Sequence, residues 1–240
     1  MRRIKITLAY DGTAFHGWQV QPGLPTIQGA LEEILSEMEG QPVHVAGSGR
    51  TDAGVHALAQ VAAFSIANPI PLANLRRAVN RLLPPAIRVL AAEEVHSAFH
   101  PRFDAQSKTY EYRILRVEVC SPFEWPYVHH YPYPLDEERM VRLAPVFAGE
   151  HDFAAFAASD DRNGESTSKV RTVFDSALER GPECLVYRVR GSGFLKHMVR
   201  NIVGTLIEAG RGNLADISVV PERSGPTAPS KGLFLVKVEY

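Results

Sequence analysis

The most constraining feature of the sequence is a helical stripe bracketed by strand-like runs. Ile27, Ala30, Leu31, Ile34, Leu35 and Met38 recur at intervals of three and four residues, while Glu32, Glu33, Glu37 and Glu39 fall off that stripe. Thr26 precedes the stripe with a hydroxyl suited to an N-cap, and Gly40 follows it as a stop. Upstream, Ile4, Ile6, Leu8 and Tyr10 alternate as on a half-buried strand closed by the turn pair Asp11-Gly12. Downstream, 43–46 reads as a short strand and 58–66 as a β-rich run of small residues. A second helix is expected over 72–83, with Leu75, Ala78, Val79 and Leu82 as its stripe, Pro71 at its start and Pro84-Pro85 at its end. Residues 87–95 read as another strand. This β-α-β-β-α-β order is that of a split βαβ unit, two helices on one face of an antiparallel sheet.

The second half repeats that order with longer connections. A strand is expected over 108–119, with Tyr110, Tyr112 and Ile114 on one face, and a helix over 136–147. Strands at 169–179 and 184–190 flank the turn pair Gly181-Pro182, and an amphipathic helix (194–209) and a closing strand (233–240) follow. The run from Val128 to Tyr131 reads as a surface turn near Pro132. The fold class is therefore α/β in the α+β sense. Two split-βαβ (ferredoxin- or RRM-like) domains, 1–105 and 106–240, would bring their antiparallel sheets together at a central cleft. Two long polar loops, 159–168 and 210–231, are of a length that usually binds something or is mobile.

A chain of 240 residues suits one large or two small domains, and 45% apolar residues suffice for a sizeable core. With 26 basic and 27 acidic residues the formal charge is -1, which excludes a histone-like polybasic role. Any nucleic-acid surface must be a local patch. Arg76, Arg77, Arg81 and Arg88 around the second helix are candidates for one, or form an ordinary solvated face. No apolar h-region follows the basic start MRRIKITLAYDG, and no apolar run approaches the roughly 20 residues of a membrane span. Cys120 and Cys184 lie far apart, which suggests neither a disulfide framework nor a zinc site. A cytoplasmic protein with no membrane association is expected.

The segment GSGRTDAGVHA, from Gly47 to Ala57, joins two of the expected strands. Its three glycines permit positive φ and a close approach of a ligand to the backbone. It displays one carboxylate, Asp52, with Arg50 two residues earlier and His56 four later. The spacing is not that of a P-loop. Asp52 and His56 have no third ligand nearby, so no metal is expected. By residue chemistry alone the loop is either a functional site or a tight turn with a solvated Asp and Arg.

This segment resembles the active-site segment of the tRNA pseudouridine synthase A (TruA-type) family. The resemblance extends through YDGTAFHGWQVQP and TIQGALEEIL (Tyr10 to Leu35), KTYEYRI (Lys108 to Ile114) and GEHDFAAF (Gly149 to Phe156). It continues through SKVRTV (Ser168 to Val173), FLKHMVRNIVGTL (Phe194 to Leu206) and the closing APSKGLFLVKVEY. It covers nearly the whole chain in the same order and is looser over 157–167. It implies isomerisation of uridine to pseudouridine in the anticodon stem-loop of tRNA, at positions 38, 39 and 40, by a homodimer whose tRNA contacts both subunits. The N-glycosidic bond breaks, the uracil turns, and a carbon–carbon bond forms through C5. No net redox change occurs, so no cofactor is expected.

Under that resemblance Asp52 is the carboxylate that meets the ribose, as nucleophile or as base. A carboxylate drawn into a water-poor pocket needs an opposite charge. The family pairs its Asp with a basic residue from the second domain, which points to Arg200. Lys196 is expected one turn before Arg200 on the last helix, both off the apolar stripe of Leu195, Met198, Val199, Ile202, Val203 and Leu206. A uridine in a stem must be flipped out to react, and Tyr110 matches the family tyrosine that would stack on the base or accept its C5 proton. Leu233 would supply an apolar wall. Arg50 would bind phosphate or fill the space left by the flipped base, and Gln19 would be a polar contact near the cleft. His16 and His44 are read as structural. Two alternatives belong to other classes. One is a non-catalytic RNA-binding module. The other is an Asp-dependent glycosidase, for which the loop lacks a second acid.

Overall fold

Alternating burial along β1 (Arg2–Tyr10) places Ile4, Ile6, Leu8 and Tyr10 in the core of the first of two units. The computed structural model describes residues 1–158, 168–214 and 218–240, so parts of both expected long loops lie outside the described residues. The first unit comprises Met1–Gln106 with Leu235–Tyr240, and the second Ser107–Phe234. In the first, β1 is followed by α1 (Ile27–Glu39), β2 (Ala46–Gly47), β3 (His56–Ile66), α2 (Leu72–Leu82) and β4 (Ile87–Val95). β1 lies between β3 and β4, antiparallel to both, and β2 pairs with the far edge of β3. That order, β4-β1-β3-β2, is the split βαβ arrangement.

Thr26 caps α1 by accepting from Gly29 N at 3.2 Å, and Gly40 ends it at φ 72° in the left-handed region. Leu35 of α1 and Leu75 and Val79 of α2 meet Ile6, Phe64 and Val89 of the sheet around a void of only about 10 Å³. Burying each such side chain contributes roughly 1.5–3 kcal/mol. The strand expected over 43–46 shrinks to Ala46–Gly47 because α1 competes for its backbone. Ser36 Oγ accepts from Val43 N (2.9 Å), Glu32 Oε1 accepts from Val45 N (2.9 Å), and Gln28 Nε2 donates to Val45 O (3.1 Å). β3 starts at His56, two residues before the expected 58.

The second unit contains β5 (Ser107–Leu115), β6 (His129–His130), α3 (Glu137–Leu143), β7 (Gly149–Asp152), β8 (Val170–Arg180), β9 (Cys184–Gly191) and α4 (Met198–Gly210). Strand β10 (Leu233–Glu239) begins in it. Its antiparallel order is β5-β9-β8-β7, and β6 joins β5 in parallel through Ile114↔His129. The histidines expected in a surface turn thus form a two-residue strand, and β5 stops at Leu115 instead of 119. The helix expected over 136–147 ends at Leu143. Asp136 caps it by accepting from Arg139 N (2.8 Å), and Ala144–Phe147 tightens into a 3-10 turn at Pro145.

The last helix starts at Met198, not at 194. Ala158 N takes the Lys196 carbonyl at 3.0 Å, and His197 turns into the left-handed region at φ 64°. Lys196 therefore precedes α4 and does not sit one helical turn below Arg200.

The closing residues Leu235–Tyr240 group with the first unit, unlike the expected division at 105/106. There Glu239 O accepts from Gln106 N (2.8 Å), Tyr240 OH donates to Pro101 O (2.8 Å), and the Tyr240 ring packs 5.1 Å from that of Phe99. No helix among the described residues is long and apolar enough to cross a membrane.

Candidate active site

In the first unit, the loop from Gly47 to His56 is held from below by a buried polar network. Gln60, a fully buried amide in the mostly apolar β3, accepts from Ser48 Oγ (2.6 Å) and donates to Gly49 O (3.1 Å). Its Nε2 also lies 3.5 Å from Tyr10 OH, which bonds Thr51 Oγ1 at 2.8 Å. Ser48 N donates to Val61 O (2.8 Å), and Trp18 N donates to Thr51 O (3.0 Å). Thr51 is thus gripped at both its side chain and its carbonyl, and Asp52 follows it half-buried. Asp52 O accepts from Val55 N at 3.1 Å, closing a tight turn with Gly54 at φ 75°. The carboxylate is displayed by a fixed backbone, and its neighbours Arg50 and Ala53 are exposed.

Close backbone contacts constrain the same turn. A Cβ on Gly17, at φ 86°, would lie 2.5 Å from Thr51 O, and one on Gly12 would lie 2.1 Å from Val55 O. Exposed Gln19 sits just beyond this contact, between Trp18 and Val20, whose N–H donates to Gln28 Oε1 at 3.1 Å. His56 is buried and accepts from Gly12 N on Nδ1 (3.1 Å), which places the imidazole proton on Nε2. Asp11 Oδ1, 3.3 Å from the same nitrogen, already accepts from Thr13 N (2.9 Å) and Thr13 Oγ1 (2.6 Å). His56 thereby ties the end of β1 to the start of β3. Among the described residues, no three or more His, Cys, Asp or Glu side chains gather as a metal site.

Burial pushes the Tyr10 phenol up to about 12, against the opposing hydrogen bonds of Thr51 and Gln60. In the unfolded chain the phenol titrates near 10. The folded-state pKa is the higher, so this contribution to stability is complete below pH 10 and is lost as pH rises towards 12. Tyr10→Phe should remove that part of the alkaline decline and cost about 1–2 kcal/mol at neutral pH, because the Thr51 hydroxyl loses its partner. Urea unfolding of both proteins at several pH values checks it.

The second unit carries the remaining candidates. Tyr110 is buried on β5, opposite Val189, with its ring edge-to-face with Phe194 (5.1 Å between centroids, 81°). Arg200 lies half-buried in the first turn of α4 and donates from Nε to Ala228 O at 2.7 Å. Its charge reaches Tyr112, where it opposes the upward push of burial on that phenol. Lys196 is exposed, and Leu233 is buried at the start of β10.

His16 and His44 are both exposed, and His44 Nδ1 lies 2.9 Å from Glu32 Oε1. Of the arginines around α2, Arg76 donates to Leu90 O (2.8 Å) and Arg88 to Pro84 O (2.8 Å), while Arg77 bonds Asn74. These bonds hold the side chains along the helix–strand connection without cancelling their charge.

Sequence reasoning missed the residues that fasten the loop, Tyr10, Ser48, Thr51 and Gln60, and the Phe194 ring beside Tyr110. One signal was available. Gln60 is the one amide in the apolar run HALAQVAAFSI, and a buried amide demands partners.

Residues 6–104 and 143–240 match the family model described as tRNA pseudouridine synthase. These spans include Gln19, Arg50, Asp52, Lys196, Arg200 and Leu233, and leave Tyr110 outside. The chain is 77% identical over 240 residues to the tRNA pseudouridine synthase A of Solibacter usitatus (strain Ellin6076), with all of both chains covered. It is 43% identical over 250 residues to that of Lacticaseibacillus casei (strain BL23) and 45% identical over 247 residues to that of Geotalea uraniireducens (strain Rf4), again over all of both chains.

Proposed function

Because the chain belongs to the tRNA pseudouridine synthase family, we propose that it isomerises uridine to pseudouridine in tRNA with Asp52 as the attacking group. The observation that carries this role is the construction of the loop. A half-buried carboxylate follows Thr51, whose side chain and carbonyl are both tied to other elements. Asp52 is the only acidic residue between Gly47 and Ala57.

The carboxylate attacks C1′ of a flipped-out uridine, and the C1′–N1 electron pair leaves with the uracil. The uracil turns, C5 bonds to C1′, and the carboxylate departs. The C5 proton is then lost and N1 gains one, so atoms and charge balance without a cofactor. Arg200 is the counter-charge for Asp52, and its Nε–H bond to Ala228 O supports a directed role. Tyr110, held edge-on by Phe194, stacks on the base or receives the C5 proton. Leu233 forms the apolar wall, Lys196 and Gln19 contact the RNA, and Arg50 binds phosphate or fills the vacated space. The exposure of Lys196, Gln19 and Arg50 supports those contacts.

The substrate in this reading is the anticodon stem-loop, at positions 38, 39 and 40, and the enzyme is a cytoplasmic homodimer. End-to-end similarity to relatives named tRNA pseudouridine synthase A supports the tRNA substrate. Incubation with tRNA tritiated at uridine C5 tests it. Tritium should be released from those positions with no free uracil. Binding without release would favour an RNA-binding module, and free uracil with an abasic site a glycosidase.

A further inference from the structure

The segment 225–232 lies directly on α4, and its fastening is unusually complete. Gly204 of α4 approaches it so closely that a Cβ there would stand 1.7 Å from Pro226 O. Thr205, fully buried, donates from Oγ1 to Asn201 O (2.8 Å) and accepts from Gly225 N on the same oxygen (2.8 Å). Asn201, also buried, donates from Nδ2 to Phe156 O (2.7 Å) and accepts on Oδ1 from Thr227 Oγ1 (2.6 Å). Tyr112 OH donates to Pro229 O (2.8 Å), and Gly232 leaves room for the Tyr112 ring, 2.8 Å from where its Cβ would be. Between these anchors Ala228 clasps Arg200 twice: its N–H donates to Arg200 O (3.2 Å), and its carbonyl accepts from Arg200 Nε (2.7 Å).

A guanidinium is planar, so a bond at Nε sets the plane in which both Nη groups lie. A long side chain can sample many rotamers, and this bond removes that freedom. The carbonyl can serve only if its own backbone is immobile, and two prolines, Pro226 and Pro229, bracket it. We propose that 225–232 is a positioning strap that aims the Arg200 guanidinium, with Thr227, Asn201, Thr205 and Tyr112 as its fasteners. The inference rests on the role of Arg200 given above and concerns what directs that residue.

Thr227 is exposed, so its variants spare the core. Kinetics on tRNA with Thr227→Val should show kcat lowered about tenfold and KM within about twofold of the parent, the pattern of a misaimed group and not of lost binding. Thr227→Ser, which keeps the hydroxyl, should restore the parental kcat and midpoint, while the midpoint of Thr227→Val falls only by the few degrees of one lost hydrogen bond, too little to account for its tenfold loss of kcat at the assay temperature. In an Arg200→Lys background Thr227→Val should cause no further loss, because lysine has no planar fork to aim. An equal loss in both backgrounds, or none in either while Arg200→Lys itself is slow, would overturn the strap and leave the reading of Arg200 standing. Parental turnover by both Arg200→Lys and Arg200→Met would instead remove that reading, and the strap with it.

Discussion

Asp52→Asn should bring turnover down by about four orders of magnitude or more, the scale seen when a covalent nucleophile is removed. The amide matches the carboxylate in shape but has no charge with which to attack C1′. The loop should survive the change, because the Tyr10–Thr51 bond, the bonds of Gln60 to Ser48 and Gly49, and the Trp18 N–H on the Thr51 carbonyl hold it without using the Asp52 carboxylate. The thermal midpoint and tRNA affinity should therefore stay close to the parent. Tritium release and a filter-binding titration on one preparation decide the matter. Release at the parental rate would remove Asp52 from the chemistry, and a collapse of stability would make it a structural residue.

Gly204→Ala should strongly destabilise the second unit. Helix propensity alone favours alanine over glycine by about 1 kcal/mol. Against this, the new methyl would stand 1.7 Å from Pro226 O and 2.9 Å from Pro226 C, atoms of backbone that cannot rotate aside. Either α4 or the segment 225–229 must move. That threatens the Gly225–Thr205, Thr227–Asn201 and Ala228–Arg200 bonds, each worth about 0.5–1.5 kcal/mol, on top of an overpacking cost of about 1–3 kcal/mol. A net loss of about 3 kcal/mol is expected from denaturant unfolding, with kcat reduced in the fraction that remains folded. A gain in stability would show that the segment yields without cost.

Much of the first unit was legible in its residues because the relevant signals are local. The stripe of α1, its Thr26 cap and its Gly40 stop all lie within a few residues of the bonds they make, and Ile4 to Tyr10 alternate along a single strand. The boundaries that went astray have longer-range causes. Val43 and Val45 give their N–H groups to side chains of α1, and Lys196 gives its carbonyl to Ala158, so neither stretch follows its own periodicity.

The loop around Asp52 was recognisable by type, and its support was not. Tyr10 reads as one more apolar position on a strand, yet its hydroxyl meets Thr51 across 41 residues of sequence. Arg200 reads as a basic residue off the apolar stripe of a helix. Its partner is a main-chain carbonyl, which has no sequence identity at all.

By itself the sequence determined the order of strands and helices in the first unit, the caps of α1, the place of the single carboxylate in its glycine-rich loop, and the family, but not strands β6 and β7 of the second unit. Only the tertiary structure decided where α4 begins, that the last six residues join the first unit, and which groups restrain Thr51 and Arg200. The physical reason is one of range. Helix stripes, caps and strand alternation act over two to four residues. A buried polar group takes whichever donor or acceptor packing brings within about 3 Å, as Tyr112 takes Pro229 across 117 residues.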